Sequence, residues 1–148
     1  MESSKLASIL KTHTKIAETM IRKQGDIAPM VVGYRRKMLV PIVVKGDRET
    51  LKATIELVKE DADWIVVMNT GWMRKVKKEE IEEILKHYKW GRIANDPQRE
   101  EILIVQVSLR DGTKDAIVER IIRGENDIRF ERIRDIGSEA KIDGYLAL

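Results

Sequence analysis

Ile102-Leu103-Ile104-Val105-Gln106-Val107, the tight turn Asp111-Gly112, Ala116 to Ile122, the turn Gly124-Glu125-Asn126-Asp127, and Ile128-Arg129-Phe130-Glu131-Arg132-Ile133 together set the fold class. Three β-prone runs separated by two short turn signals spell a strand meander, and a meander is antiparallel. The last run alternates apolar with charged residues, as a strand with one solvated face does.

Reading back toward the amino terminus, Trp64-Ile65-Val66-Val67-Met68 is apolar throughout and suits a central strand covered on both faces. Ala28-Pro29-Met30-Val31-Val32-Gly33-Tyr34 and Met38-Leu39-Val40-Pro41-Ile42-Val43-Val44 flank Arg35-Arg36-Lys37 and read as a hairpin. Pro29 and Pro41 each remove a ladder donor, which gives both strands an edge-facing portion.

Three helices complete the reading. Ser3 and Ser4 offer an N-cap and Gly25 a stop for a first helix of about twenty residues. Its apolar positions Leu6, Ile9, Leu10, Ile16, Ala17, Met20 and Ile21 fill an arc of roughly 140°. Lys5, Lys11, Lys15, Glu18 and Arg22 take the opposite arc, so one broad face is built for burial on a sheet or on a partner. Asp47 caps a second helix from about residue 48 to 60, with Leu51, Ile55 and Val58 at helical spacing. Glu79 to Tyr88 predicts a third, with Ile81, Ile84 and Leu85 inward and Glu82 four residues before Lys86. The order α-β-β-α-β-α-β-β-β predicts a single α+β domain over 1–148, with a mainly antiparallel sheet of five to six strands.

The composition fits a chain with its own core. It has 148 residues, 43% hydrophobic and 36% charged, and no Cys, which rules out disulfides and thiolate metal sites. No apolar run reaches the 18 or so residues of a membrane span. The start Met1-Glu2-Ser3-Ser4-Lys5 lacks the apolar region of a secretory signal, and a cytoplasmic protein is the expectation. Lys and Glu number 15 each against six Asn plus Gln, a hyperthermophile tendency. Net charge is +3, distributed +5, 0 and −2 over 1–50, 51–100 and 101–148, too even to mark a dedicated nucleic-acid binder.

Motifs that carry chemistry are few. The nine glycines form no phosphate loop. The two histidines, His13 and His87, are too far apart in sequence for a metal-ligand spacing, and neither Ser108 nor Ser138 lies in a nucleophile elbow. His13 falls near the centre of the first helix's apolar arc, as a packed imidazole or a buried acid/base. His87 complements a helix dipole. No cofactor is expected.

Two tracts are candidates. Trp72, Tyr88 and Trp90 stand among Arg74, Lys75, Lys77, Lys78, Lys86, Lys89 and Arg92, a mixture able to stack bases and neutralise phosphates of single-stranded nucleic acid. Glu79, Glu80, Glu82 and Glu83 interrupt it, and the alternative is a solvated helix anchored by its aromatics. The second tract, Asp96-Pro97-Gln98-Arg99-Glu100-Glu101, is a turn leading into a strand. Arg99 with Asp96 and Glu101 would form a structural clamp; Asp96 and Glu101 with His13 would instead form a metal or acid/base cluster for a metal-assisted hydrolase.

Gly25-Asp26-Ile27-Ala28-Pro29, Trp72 and Pro97-Gln98-Arg99-Glu100-Glu101 carry a resemblance. The sequence resembles an uncharacterised group of prokaryotic and viral proteins with a helix, a Gly-x-x-x-Pro step, a strand-end Trp and a Pro-x-Arg-x-Glu tract. The resemblance implies this architecture and no activity. Relatives carry an acid two residues before the Trp, where this chain has Thr70, which speaks against a catalytic carboxylate there. The leading expectation is a non-catalytic module that associates with itself or a protein partner, carried by the first helix and the apolar end Tyr145-Leu146-Ala147-Leu148.

Overall fold

The computed structural model describes residues 2–75, 99–133 and 140–143. Helix α1 (Glu2–Gln24) leads into β1 (Met30–Arg35) and β2 (Met38–Val43), then α2 (Arg48–Lys59), β3 (Trp64–Lys75), β4 (Glu100–Leu109), β5 (Lys114–Arg123), β6 (Ile128–Ile133) and β7 (Ala140–Asp143). The fold is α+β, and every described strand pairing is antiparallel. Six strands run in the order β2-β1-β3-β4-β5-β6, and β7 pairs with β3. The third helix expected at Glu79–Tyr88 lies outside the described residues, as does the apolar end Tyr145–Leu148. No described helix is long and apolar enough to cross a membrane.

Local chemistry explains most boundaries. Gly25, at φ 86°, takes the left-handed turn that closes α1, and its N–H donates to the Ile21 carbonyl at 2.7 Å. The Asp47 carboxylate accepts from the Thr50 N–H at 3.0 Å and starts α2. Between β4 and β5, Asp111 accepts from the Thr113 N–H at 2.8 Å beside Gly112, whose φ is 95°. The β1–β2 turn is tighter than the sequence suggested. Only Arg36 and Lys37 lie between the strands, both at positive φ (52° and 64°), the geometry that matches strand twist across a two-residue loop.

Two departures concern β3 and β7. The apolar run ends at Met68, yet β3 continues to Lys75 because β4 pairs with it from Trp64 through Met73. Asn69, Thr70 and Gly71, which look like a strand end, are carried along by that ladder. Beyond Met68, β1 no longer pairs with β3, and residues 140–143 pair with Trp72–Lys75. Ala-Lys-Ile-Asp has too short an apolar pattern to announce a strand.

The core sits on both faces of β3. Trp64, Val66 and Met68 join Leu6, Leu10, Ala17 and Ile21 of α1, together with Leu103 and Val105. Ile65 and Val67 pack with Val31, Leu51 and Ile55 under α2. The broad face of α1 therefore covers its own sheet and not a partner. The helix is also rolled by roughly 40° from the apolar-arc centre toward Thr14, which is buried, leaving Ile16 43% exposed.

Gly33 lets α2 approach β1: a Cβ there would lie 2.8 Å from Cγ1 of Val58. Gly33→Val is therefore expected to destabilise by about 1–3 kcal/mol in urea denaturation through overpacking. Adding Val58→Ala should recover much of that loss; an additive double variant would show that the two sites do not share the space.

Candidate functional site

The expected acid/base cluster does not assemble from its described members. His13, 5% exposed, donates from Nδ1 to the Ile9 carbonyl at 2.8 Å and sets its ring edge-on to Trp64, with 5.8 Å between centroids. Trp64 also stacks on Tyr34 at 4.9 Å. Glu101 pairs across the ladder with Trp72, eight positions farther along β3. At about 3.3 Å per residue, His13 and Glu101 are roughly 26 Å apart along the sheet, far beyond shared coordination. Asp96 lies outside the described residues. Among the described residues, no group of three or more His, Asp or Glu side chains could hold a metal ion.

Of the expected clamp of Arg99, Asp96 and Glu101, Asp96 lies outside the described residues, and Glu101 has a further arginine partner. The Glu101 carboxylate pairs with Arg123 at 2.7 Å, and Arg123 also donates to the Gly25 carbonyl at 2.7 Å. That one side chain ties the end of α1 to the start of β4. On the other face, Arg120 bridges Glu100 and Glu131. Arg99 lies 4.6 Å above the Trp72 ring, covering one face that a nucleic-acid base would need. Arg74 and Lys75 fall on β3, whereas Lys77, Lys78, Lys86, Tyr88, Lys89, Trp90 and Arg92 lie outside the described residues.

An acid pair and an apolar edge strand emerge instead. Glu119 occupies the buried face of β5 between Ile117 and Ile121, where α1 covers it to 9% exposure. Burial pushes its carboxyl up to about 8, reinforced by the hydrogen bond and charge of Glu18 and opposed by Arg132 and Arg22. Glu18, assigned to the solvent arc from periodicity, turns inward to this contact because α1 is rolled toward it. Glu119 thus keeps its proton near neutrality. In the run Ile117-Val118-Glu119-Arg120-Ile121, Glu119 stands where strand periodicity points inward beside two isoleucines, a signal present in the sequence.

The second feature is β2. All six of its residues are exposed, and Met38, Leu39, Val40, Ile42 and Val43 are 36–64% exposed. The two-residue turn makes Arg35 and Met38 a hydrogen-bonded pair, so even-numbered β2 residues bond to β1; Val44 N–H donating to the Pro29 carbonyl at 2.8 Å continues the alternation. Leu39, Pro41 and Val43 thus turn their backbone outward. Pro41 places its missing N–H on the open edge, where it blunts strand addition. The side chains of β2 lie on two faces: Leu39, Pro41 and Val43 on the α1 side, Met38, Val40 and Ile42 on the α2 side. On the α2 side, Val40 and Ile42 border a groove of about 400 Å³ with Leu57, Val58 and Ala62. Leu57 is 68% exposed.

The acid pair makes a pH prediction. The folded chain holds the Glu119 proton until about pH 8, and the unfolded chain releases it near the ordinary value of 4.5. Between those values the unfolded state binds fewer protons, so stability should fall as pH rises through that window. Urea midpoints at pH 5, 7 and 9 should show this decline in the wild type and a flatter profile in Glu119→Gln. Parallel profiles would mean that Glu119 ionises normally.

No protein-family model matches the chain, and no curated protein or solved structure matches it significantly.

Proposed function

We propose that this chain is a non-catalytic interaction domain that associates with itself or with a protein partner, and that β2 is the surface it uses. The observation carrying this reading is an apolar strand left at the sheet edge with both faces uncovered, beside an exposed Leu57. Each square ångström of apolar surface removed from water contributes about 25 cal/mol, so a contiguous patch of this kind favours a protein contact. Basic residues Arg35, Arg36 and Lys37 close one end of the strand and help keep it soluble before it meets its partner.

Separation of His13 from Glu101 leaves the metal-assisted hydrolase reading without support. The single-stranded nucleic-acid reading gains none from Trp72, whose ring carries Arg99.

Light scattering over a dilution series tests the self-associating form. The mass should rise above 17.1 kDa as concentration climbs through the micromolar range. Leu39→Lys with Ile42→Lys, one change on each face of β2, should weaken association at least tenfold while leaving the circular dichroism spectrum unchanged. A mass fixed at the monomer value at all concentrations would overturn self-association.

A further inference from the structure

The geometry points to the occupant of the α2-side groove: a second copy of this chain, seated about a two-fold axis so that each copy's Leu57 enters the other's groove. This rests on the self-association reading and narrows it to one face and one mode of contact.

Three observations select this arrangement. Edge-to-edge pairing is disfavoured, because among the outward-facing residues of β2 only Leu39 and Val43 carry an N–H, and Pro41 sits between them. A Pro ring at the middle of the edge holds an added strand away from hydrogen-bonding distance. Association is thereby directed from the backbone edge to side-chain packing on a face.

The α2 side is self-complementary in shape. It carries a largely exposed apolar side chain, Leu57, on the border of a depression that Val40, Ile42, Val58 and Gly33 also line. A surface with knob and hole side by side can satisfy both at once through a two-fold operation, which also closes the assembly at two copies. Gly33 and Val58, which pack closely because Gly33 has no side chain, line the depression together.

Area and charge agree with the same occupant. Met38, Val40, Ile42 and Leu57 together expose on the order of 400 Å², about half of the ~800 Å² that each partner of a stable complex buries. That proportion suits an apolar centre within a polar rim. The rim carries both signs, Arg35 paired with Asp61 at 2.5 Å and Glu60 beside them. A wholly acidic or wholly basic partner would meet like charge on part of this rim, whereas a two-fold copy brings the same mixed-sign rim to the contact.

Single-cysteine variants test the arrangement, since the chain has no Cys of its own. Leu57→Cys treated with a short bis-maleimide should give a covalent dimer in high yield, and Leu39→Cys, on the opposite face, should not. In parallel, Leu57→Lys should weaken the dimer at least tenfold in light scattering, while Leu39→Lys should change it less than threefold. Both substitutions fall on exposed side chains, and an unchanged melting curve confirms folding. Association that survives Leu57→Lys and is lost in Leu39→Lys would overturn the groove arrangement and leave self-association standing. A wild type that stays monomeric would overturn both.

Discussion

The ladder between β3 and β4 holds the molecule's other parts in place. Ten consecutive residue pairs, Trp64 with Leu109 through Met73 with Glu100, keep two long strands in one register. A slip by one residue would exchange the buried sets of both faces, because successive side chains point to opposite sides. Apolar residues on both faces of β3 fix the register, with α1 on one side and α2 on the other. The central strand can be continuously apolar only because a helix waits on each face.

From that spine the two ends of the sheet take different characters. Toward β5 and β6, charged pairs finish the structure: Arg123 joins Glu101 to the α1 terminus, and Arg120 gathers Glu100 and Glu131. These pairs are partly exposed, so they fix geometry more than they add stability. Glu119 is the exception, a carboxyl placed on the α1-facing side where burial and Glu18 make it retain its proton. Toward β2 the pattern reverses. The strand is apolar on both sides, neither described helix lies over its outer part, and among the described residues the Pro41 position and the basic turn restrain it from indiscriminate pairing. Leaving such a strand outside is costly for a monomer, and this cost motivates the proposal that β2 is an interface.

Much of the architecture was legible from residues alone. Asp111-Gly112 and Gly124–Asp127 mark the hairpin turns, and β6 spans Ile128–Ile133 as its alternation indicated. Gly25 and Asp47 bound their helices through local hydrogen bonds that follow from capping chemistry. The extension of β3 past Met68 was not legible from the apolar run, because Asn69 and Gly71 are poor strand formers held there by β4. Nor was β7, whose four residues acquire strand geometry only beside Trp72–Lys75. The two described members of the candidate cluster lie apart for a similar reason: His13 and Glu101 both belong to the α1 side of the sheet, but spacing in sequence says nothing about distance along a strand.

Residue order settles local matters: the stop of α1 at Gly25, the start of α2 at Asp47, the tight turns, and which positions along a strand share a face, whereas α1 itself begins at Glu2, ahead of the Ser3 and Ser4 offered as its cap. Those features follow from hydrogen bonds and side-chain periodicities within a few residues. The unbroken apolar run of Trp64–Met68 and Pro41 in β2 already hint at centre and edge, but which strands become neighbours and how far each ladder runs is a tertiary matter. Trp64–Met68 and Met38–Val43 are both rich in branched and apolar residues, yet one lies at the centre of the sheet and the other at its edge. Alternation along a strand encodes its two faces and not its neighbours, because neighbours are chosen by the pairing of distant segments.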